Sequence, residues 1–157
     1  MMHSKDLIIK VTEDSCDMFW RFARAVPSER VLWKASEDSR TALELCQECA
    51  QAPKWSEGML RIRAIPDDLG DWQAILSERE GWTTVEACEA ESRSRTESLI
   101  AAIREFPESA MEQTLFLPFT GKDHPFWDIM MYPHWNFTWH TGQVAYLQTM
   151  WGDKDMH

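Results

Sequence analysis

The chain has 157 residues, 44% hydrophobic and 27% charged, a size and balance suited to one globular domain spanning residues 1–157. Its 26 acidic residues outnumber 16 basic ones, giving a net charge of -10, and no basic run stands out. That argues against nucleic acid and anionic membrane surfaces as partners, because both are bound through clustered Lys and Arg. No apolar run is long enough to span a bilayer. Near the N-terminus the apolar stretch is only Leu7–Ile9, too short for a secretory core. A cytoplasmic location is expected, with the 4 cysteines as thiols. Nine tryptophans and 9 methionines point to large flat core fillers or an aromatic-lined cavity.

The first predicted helix runs from about Lys5 to Ala25. Ile8, Val11, Ser15, Met18 and Phe22 recur at helical spacing, widened by Phe19 and Val26. Val26–Pro27 is a natural stop, since the residue before proline is pushed out of the helical region. The second helix is expected from about Glu37 to Gln51, capped by Ser36, with Ala42, Leu45, Cys46 and Cys49 facing inward and Pro53 just past its end. A loop-rich stretch broken by Pro66, Gly70 and Gly81 follows, with room for a short helix around Trp72–Ser77.

A third long helix is predicted from about Thr84 to Phe106. Thr83 or Thr84 caps it, Pro107 ends it, and Val85, Cys88, Ser92, Leu99, Ile103 and Phe106 lie along one side. Its polar middle implies one broad exposed face. Two β-rich runs, Thr114–Phe119 and Phe126–Met131, flank "TGKDH" as a short hairpin or an extended crossover. The last helix is placed from about His134 to Trp151, after Pro133 and before Gly152. Four long helices with unequal connections point to a four-helix bundle.

The last helix carries the chemistry. Asn136, His140, Gln143 and Leu147 follow at steps of four, three and four, so they share a stripe close to the core side. A buried imidazole needs a hydrogen-bond partner or a metal. His134 lies two residues before Asn136, about 200° away on an ideal helix. On the second helix, Glu37, Thr41, Glu44 and Glu48 form a mostly solvated stripe. Glu48 is the member nearest the core, and near a helix C-terminus it calls for a positive partner.

These residues resemble a known family. "WNFTWHTGQVAYLQTMWGD" is similar to the last helix of the DinB/YfiT-like superfamily of metal-binding four-helix bundles. Members typically carry a histidine, three residues, a second histidine, a Gly-Gln pair and a short apolar run. "TALELCQECAQAPKW" resembles the family's second helix, where another histidine usually sits. The resemblance implies an all-α four-helix bundle with a long, partly extended crossover before the last helix. It also implies a homodimer, which the surplus of large apolar residues supports.

By the same resemblance, the family's three metal ligands fall on Glu48, Asn136 and His140, of which only His140 is the family's histidine. The cofactor implied is a divalent ion, zinc or nickel. Gln143 is expected to orient His140, and His134 to stand at the helix entrance. Two functions follow. One is a metal-dependent small-molecule enzyme performing thiol transfer or hydrolysis, as some family members do. The other is a metal-free ligand-binding or stress-response interaction protein on the same bundle, with His140 hydrogen-bonded to Glu48 or a carbonyl.

The remaining candidates read as structural. Cys46 and Cys49 form a CxxC in mid-helix, away from the N-terminal dipole that activates redox pairs, and are expected in the core. Trp20, Trp33, Trp135, Trp139 and Trp151 are expected to pack, while Trp55 and Trp127 could line a pocket beside the site. His124 is expected in an exposed loop, and the terminal His3 and His157 carry no signal.

Overall fold

A computed structural model describes residues 4–157; His3 lies outside the described residues. Five helices and one hairpin follow in order. They are α1 (Ser4–Arg24), α2 (Ala42–Ile62), α3 (Trp72–Glu80), α4 (Val85–Glu105), the strands β1 (Thr114–Leu117) and β2 (Lys122–Pro125), and α5 (Phe126–Met150). α1, α2, α4 and α5 form the four-helix bundle. Each of α1 and α2 packs against both α4 and α5, so α1 and α2 stand on one diagonal.

Specific contacts set the helix directions. Lys5 Nζ donates to the carbonyls of Arg104 and Phe106, and Arg24 pairs with Glu89. α1 and α4 are therefore antiparallel. Ser92 meets Cys49 and Arg61 meets Glu105, so α2 and α4 run parallel. His134 meets Val11 and Gln148 meets Phe22, so α1 and α5 also run parallel. The order is up, down, down, up. A parallel neighbour needs a return path as long as the helix, roughly 30 Å for 21 residues. Residues 63–84, which contain α3, supply that return between α2 and α4.

The second helix begins and ends later than its composition suggests. Thr41, not Ser36, caps it: its hydroxyl accepts from Glu44 N–H while the Glu44 carboxylate accepts from Thr41 N–H, a capping box. Pro53 lies inside the helix and removes the donor that would bond the Cys49 carbonyl. Ser92 Oγ donates to that carbonyl at 3.1 Å, and Trp20 Nε1 donates to Ser92 Oγ at 3.2 Å. The proline is thus tolerated because a neighbouring helix supplies the missing hydrogen bond.

The last helix also starts earlier than expected. Phe126–Met131 is helical, not a strand, and Pro133 sits within α5. Pro125 ends β2 and stands at the N-cap, and Phe126 and Trp127 donate their N–H groups to Gln113 and Met111. The hairpin is tighter than the two β-rich runs implied: Leu115 pairs with His124 and Leu117 with Lys122, around a turn whose Gly121 has φ 68°. By contrast, α4 lies within a residue of its predicted bounds, with Thr84 accepting from Ala87 N–H.

Along all four bundle helices the apolar core falls into two clusters. One joins Trp20, Cys46, Cys88 and Phe137; the other joins Ile8, Met59, Leu99 and Ile129. Between them, in residue order on each helix, lies a polar belt of Thr12, Ser15, Ser56, Ser92, Thr96 and Asn136, all buried. On α1 the buried face includes Thr12, Cys16 and Trp20, whereas Val11 and Met18 of the predicted stripe are only half-buried. All four cysteines are buried and free, and burial pushes the Cys46 and Cys49 thiols up. Among the described residues, no helix is long and apolar enough to cross a membrane.

Ser92→Ala is expected to cost about 1–3 kcal/mol in urea unfolding, since it strands a buried carbonyl and an indole N–H. In a Pro53→Ala background the same change is expected to cost less, because the restored N–H bonds the Cys49 carbonyl. A double-mutant cycle measures the difference.

Candidate functional site at the seam of α2 and α5

Glu48 stands on α2 facing α5, and its two carboxylate oxygens have different partners. Oε1 accepts from Asn136 Nδ2 at 3.2 Å and from His140 Nε2 at 3.1 Å. Oε2 pairs with Arg40 Nη1 at 2.6 Å and has Arg79 Nη2 at 3.8 Å. His140 Nδ1 lies 2.5 Å from Gln143 Oε1. A carboxylate only accepts, so His140 Nε2 carries a proton and Asn136 turns its nitrogen, not its oxygen, toward Glu48. Asn136 Oδ1 is buried with no partner among the described residues.

Local sequence explains the placement. The four-residue step from Asn136 to His140 puts both on the α5 edge that meets α2. Arg40 is held just before the α2 cap, where Nη2 also donates to the Glu44 carbonyl at 2.9 Å. α3 brings in Arg79. Gln47 Nε2 donates to the Arg79 and Trp82 carbonyls, and Gln51 Nε2 donates to the Ile75 carbonyl and to Glu78. Arg79 Nε then donates to Gln51 Oε1 at 2.6 Å, and its guanidinium stacks on Trp72. Two glutamines of α2 thereby anchor the short helix that aims Arg79 at Glu48.

Burial of Glu48 favours its neutral form, but the His140 hydrogen bond and the Arg40 charge outweigh it. The carboxyl is lowered from 4.5 to about 2. It is ionised at every ordinary pH, and so is a weak proton acceptor.

Of the residues singled out in the sequence, Glu48, Asn136, His140 and Gln143 meet in one network. His134 does not join them: its Nδ1 sits 3.0 Å from the Val11 carbonyl, on the α1 side of α5. Arg40, Arg79, Gln47 and Gln51 were not identified from sequence. The Thr41–Glu44 capping box would have revealed Arg40's position at the helix start; nothing local to α3 marks Arg79.

Other expectations are corrected. Trp135 and Trp139 are largely exposed rather than packed, because they lie on the outer face of α5. Trp55 lines a surface hollow with Lys54, Asp68 and Glu78, and Trp127 sits near the opposite end of α5; neither adjoins Glu48 in any contact described. His124 is not a free loop residue. Its Nε2 lies 2.7 Å from Thr120 Oγ1 and its Nδ1 2.7 Å from Asp128 Oδ2, with Tyr132 OH at 3.1 Å. This chain ties the hairpin turn to the first turns of α5.

A divalent ion on these residues requires three changes. Asn136 would have to turn its oxygen inward, His140 would have to give up its Nε2 proton, and Arg40 would have to leave Glu48. Among the described residues there is no group of three His, Cys, Asp or Glu side chains that could hold a metal. The donor set as arranged does not suit zinc, which prefers imidazole and thiolate over a neutral amide.

Bundle order and seam together define a four-helix bundle with up-down-down-up helices and a polar site between the second and last helices. This is the DinB/YfiT-like fold. YfiT from Bacillus subtilis, described as a probable metal-dependent hydrolase with an unusual four-helix bundle topology, superposes with a TM-score of 0.77. The alignment covers 94% of this chain and 87% of YfiT at 14% identity. A DinB-like protein, YjoA, also from Bacillus subtilis, gives a TM-score of 0.70 over 95% of this chain and 94% of its own, at 11% identity. No protein-family model and no curated protein matches the chain.

The depressed Glu48 pKa makes a pH prediction. Its contribution is present above the unfolded value of 4.5 and is lost as pH falls from 4.5 toward about 2. Glu48→Gln is expected to flatten that part of the acid-stability curve by on the order of 3 kcal/mol. Chemical denaturation of both proteins at several acidic pH values measures it.

Proposed function

We propose that this chain is a metal-independent small-molecule-binding protein built on the bundle, with its ligand site at the seam of Glu48 and His140. The observation that carries this reading is Arg40 Nη1 at 2.6 Å from Glu48 Oε2. A guanidinium stands where a cation would neutralise the carboxylate. A Glu48 carboxyl near 2 also suits binding and orientation better than general-base chemistry.

The site's chemistry describes the ligand. Arg40 is half-buried, with 36% of its side chain exposed, so part of it is open to a ligand. Asn136 Oδ1 is buried, so the accessible contact for a ligand is Arg40. A small molecule that carries an acidic group matches that guanidinium. Guanidinium recognises carboxylate and phosphate through paired donors, which gives the acidic end its specificity.

A second reading, a metal-dependent enzyme like the one YfiT is described to be, draws support from the meeting of Glu48, Asn136 and His140 in one network. The two readings differ in metal content. Protein purified without a histidine tag is expected to hold less than about a tenth of an ion per chain, with melting unchanged by EDTA or Zn²⁺. One ion per chain, or a melting temperature lowered by EDTA, would favour the enzyme. A panel of small hydroxy- and amino-acids and phosphate esters is expected to include compounds that raise the melting temperature, an effect lost in Arg40→Gln.

A further inference from the structure

The hairpin turn and the start of α5 set a hydroxyl, an imidazole and a carboxylate in line. Thr120 Oγ1 lies 2.7 Å from His124 Nε2, and His124 Nδ1 lies 2.7 Å from Asp128 Oδ2. Thr120 is exposed, and the side chains of His124 and Asp128 are 17% and 34% exposed. From Asp128 to His140 is about 18 Å along α5 at 1.5 Å per residue, so this group is separate from the seam at Glu48. Proton counting gives each atom its role. A carboxylate only accepts, so Nδ1 carries a proton toward Asp128, and in the neutral ring Nε2 is then a bare acceptor. Thr120 has one hydroxyl proton and two acceptors in reach, Nε2 at 2.7 Å and the Leu117 carbonyl at 3.1 Å; the shorter contact is to the imidazole. Tyr132 OH lies 3.1 Å from Nδ1, and burial and the Asp128 charge push it up to about 12. It therefore braces the ring as a neutral hydroxyl.

We propose that Thr120, His124 and Asp128 form a second site, one that hydrolyses small aryl esters. A nucleophile held by a base that is itself held by a carboxylate is the arrangement acyl transfer requires. Thr120 Oγ1 bonds to the ester carbonyl carbon as its proton passes to His124 Nε2, and the carbonyl electron pair moves onto oxygen. Asp128 stabilises the imidazolium that forms. The electron pair returns, the bond from carbon to the phenol oxygen breaks, and the leaving phenolate takes the Nε2 proton. Water then attacks the acyl-Thr120 with the same base, releasing the acid and restoring the hydroxyl. One ester and one water give one acid and one phenol.

The substrate class follows from how the turn spends its donors. The Thr120 and Gly121 N–H groups both donate to the Leu117 carbonyl, so neither is free to stabilise an oxyanion. The reaction is then confined to esters whose leaving group departs readily, and phenols leave more readily than alkanols. Phe119 and Trp127, the chain neighbours of Thr120 and Asp128, are 64% and 41% exposed and supply aromatic surface for an aryl group.

Hydrolysis of para-nitrophenyl acetate by the full chain tests the proposal, with the released phenolate followed by absorbance and the acetylated residue located by peptide mass spectrometry. Wild type is expected to release the phenolate and, when quenched early, to carry an acetyl group on Thr120. Thr120→Ser is expected to keep both, and Thr120→Val and His124→Gln to lose both, with unchanged helical circular dichroism. Asp128→Asn is expected to lower kcat by about tenfold or more with KM little changed, the signature of a residue that positions His124. Wild-type hydrolysis no faster than that of Thr120→Val, or acetyl groups on lysine or cysteine and never on Thr120, would each overturn it. Should Thr120→Val fail to fold, the residue acetylated in the wild type decides alone.

Discussion

The carboxylate of Glu48 joins three parts of the chain that are distant in sequence. On one oxygen it meets α5 through Asn136 and His140; on the other it meets the α1–α2 connection through Arg40 and the α2–α4 return through Arg79. A half-buried carboxylate is costly to desolvate and is stable only when its partners neutralise it and fill its lone pairs. That condition ties the loops outside the bundle to the helices within it. It explains why α3, a nine-residue helix, is held so firmly by Gln47 and Gln51.

The same economy governs the bundle interior. Two apolar clusters are separated by a belt of small polar side chains, and part of that belt repairs a backbone defect. Pro53 leaves a carbonyl free, Ser92 fills it, and Trp20 fills Ser92. Thr96 returns its hydroxyl to the Ser92 carbonyl at 2.8 Å. Belts of this kind favour one helix register, because a slip would strand several buried donors at once. The seam at Glu48 continues this belt toward the surface, where the Arg40 side chain is 36% exposed.

Much of the fold could be read from sequence because helix periodicity is a local signal. α1 and α4 carry amphipathic stripes bounded by proline, and their predicted ends lie within about one residue of those observed. Proline was also the source of the main errors. Pro53 and Pro133 read as helix boundaries, yet both lie inside helices; at Pro53 the Ser92 hydroxyl of α4 fills the freed carbonyl, which no local pattern records. For the site, the i, i+4, i+7 spacing of Asn136, His140 and Gln143 was legible on one helix. Arg40 and Arg79 were not, because they reach Glu48 from a loop and from a short helix whose position depends on the return path between parallel neighbours. The exposure of Trp135 and Trp139 was hidden for a similar reason: tryptophan is so often buried that only the assembled bundle reveals which face of α5 is left outside.

Arginine in the place of a metal is the central claim, and a zinc titration followed by calorimetry tests it most directly. Wild-type protein is compared with Arg40→Ala/Arg79→Ala, whose helical content is checked first. Removing the guanidiniums leaves Glu48 in need of a cation beside His140, so zinc affinity is expected to rise by about tenfold or more in the variant. One zinc bound per wild-type chain, with an affinity equal to that of the variant, would contradict the account.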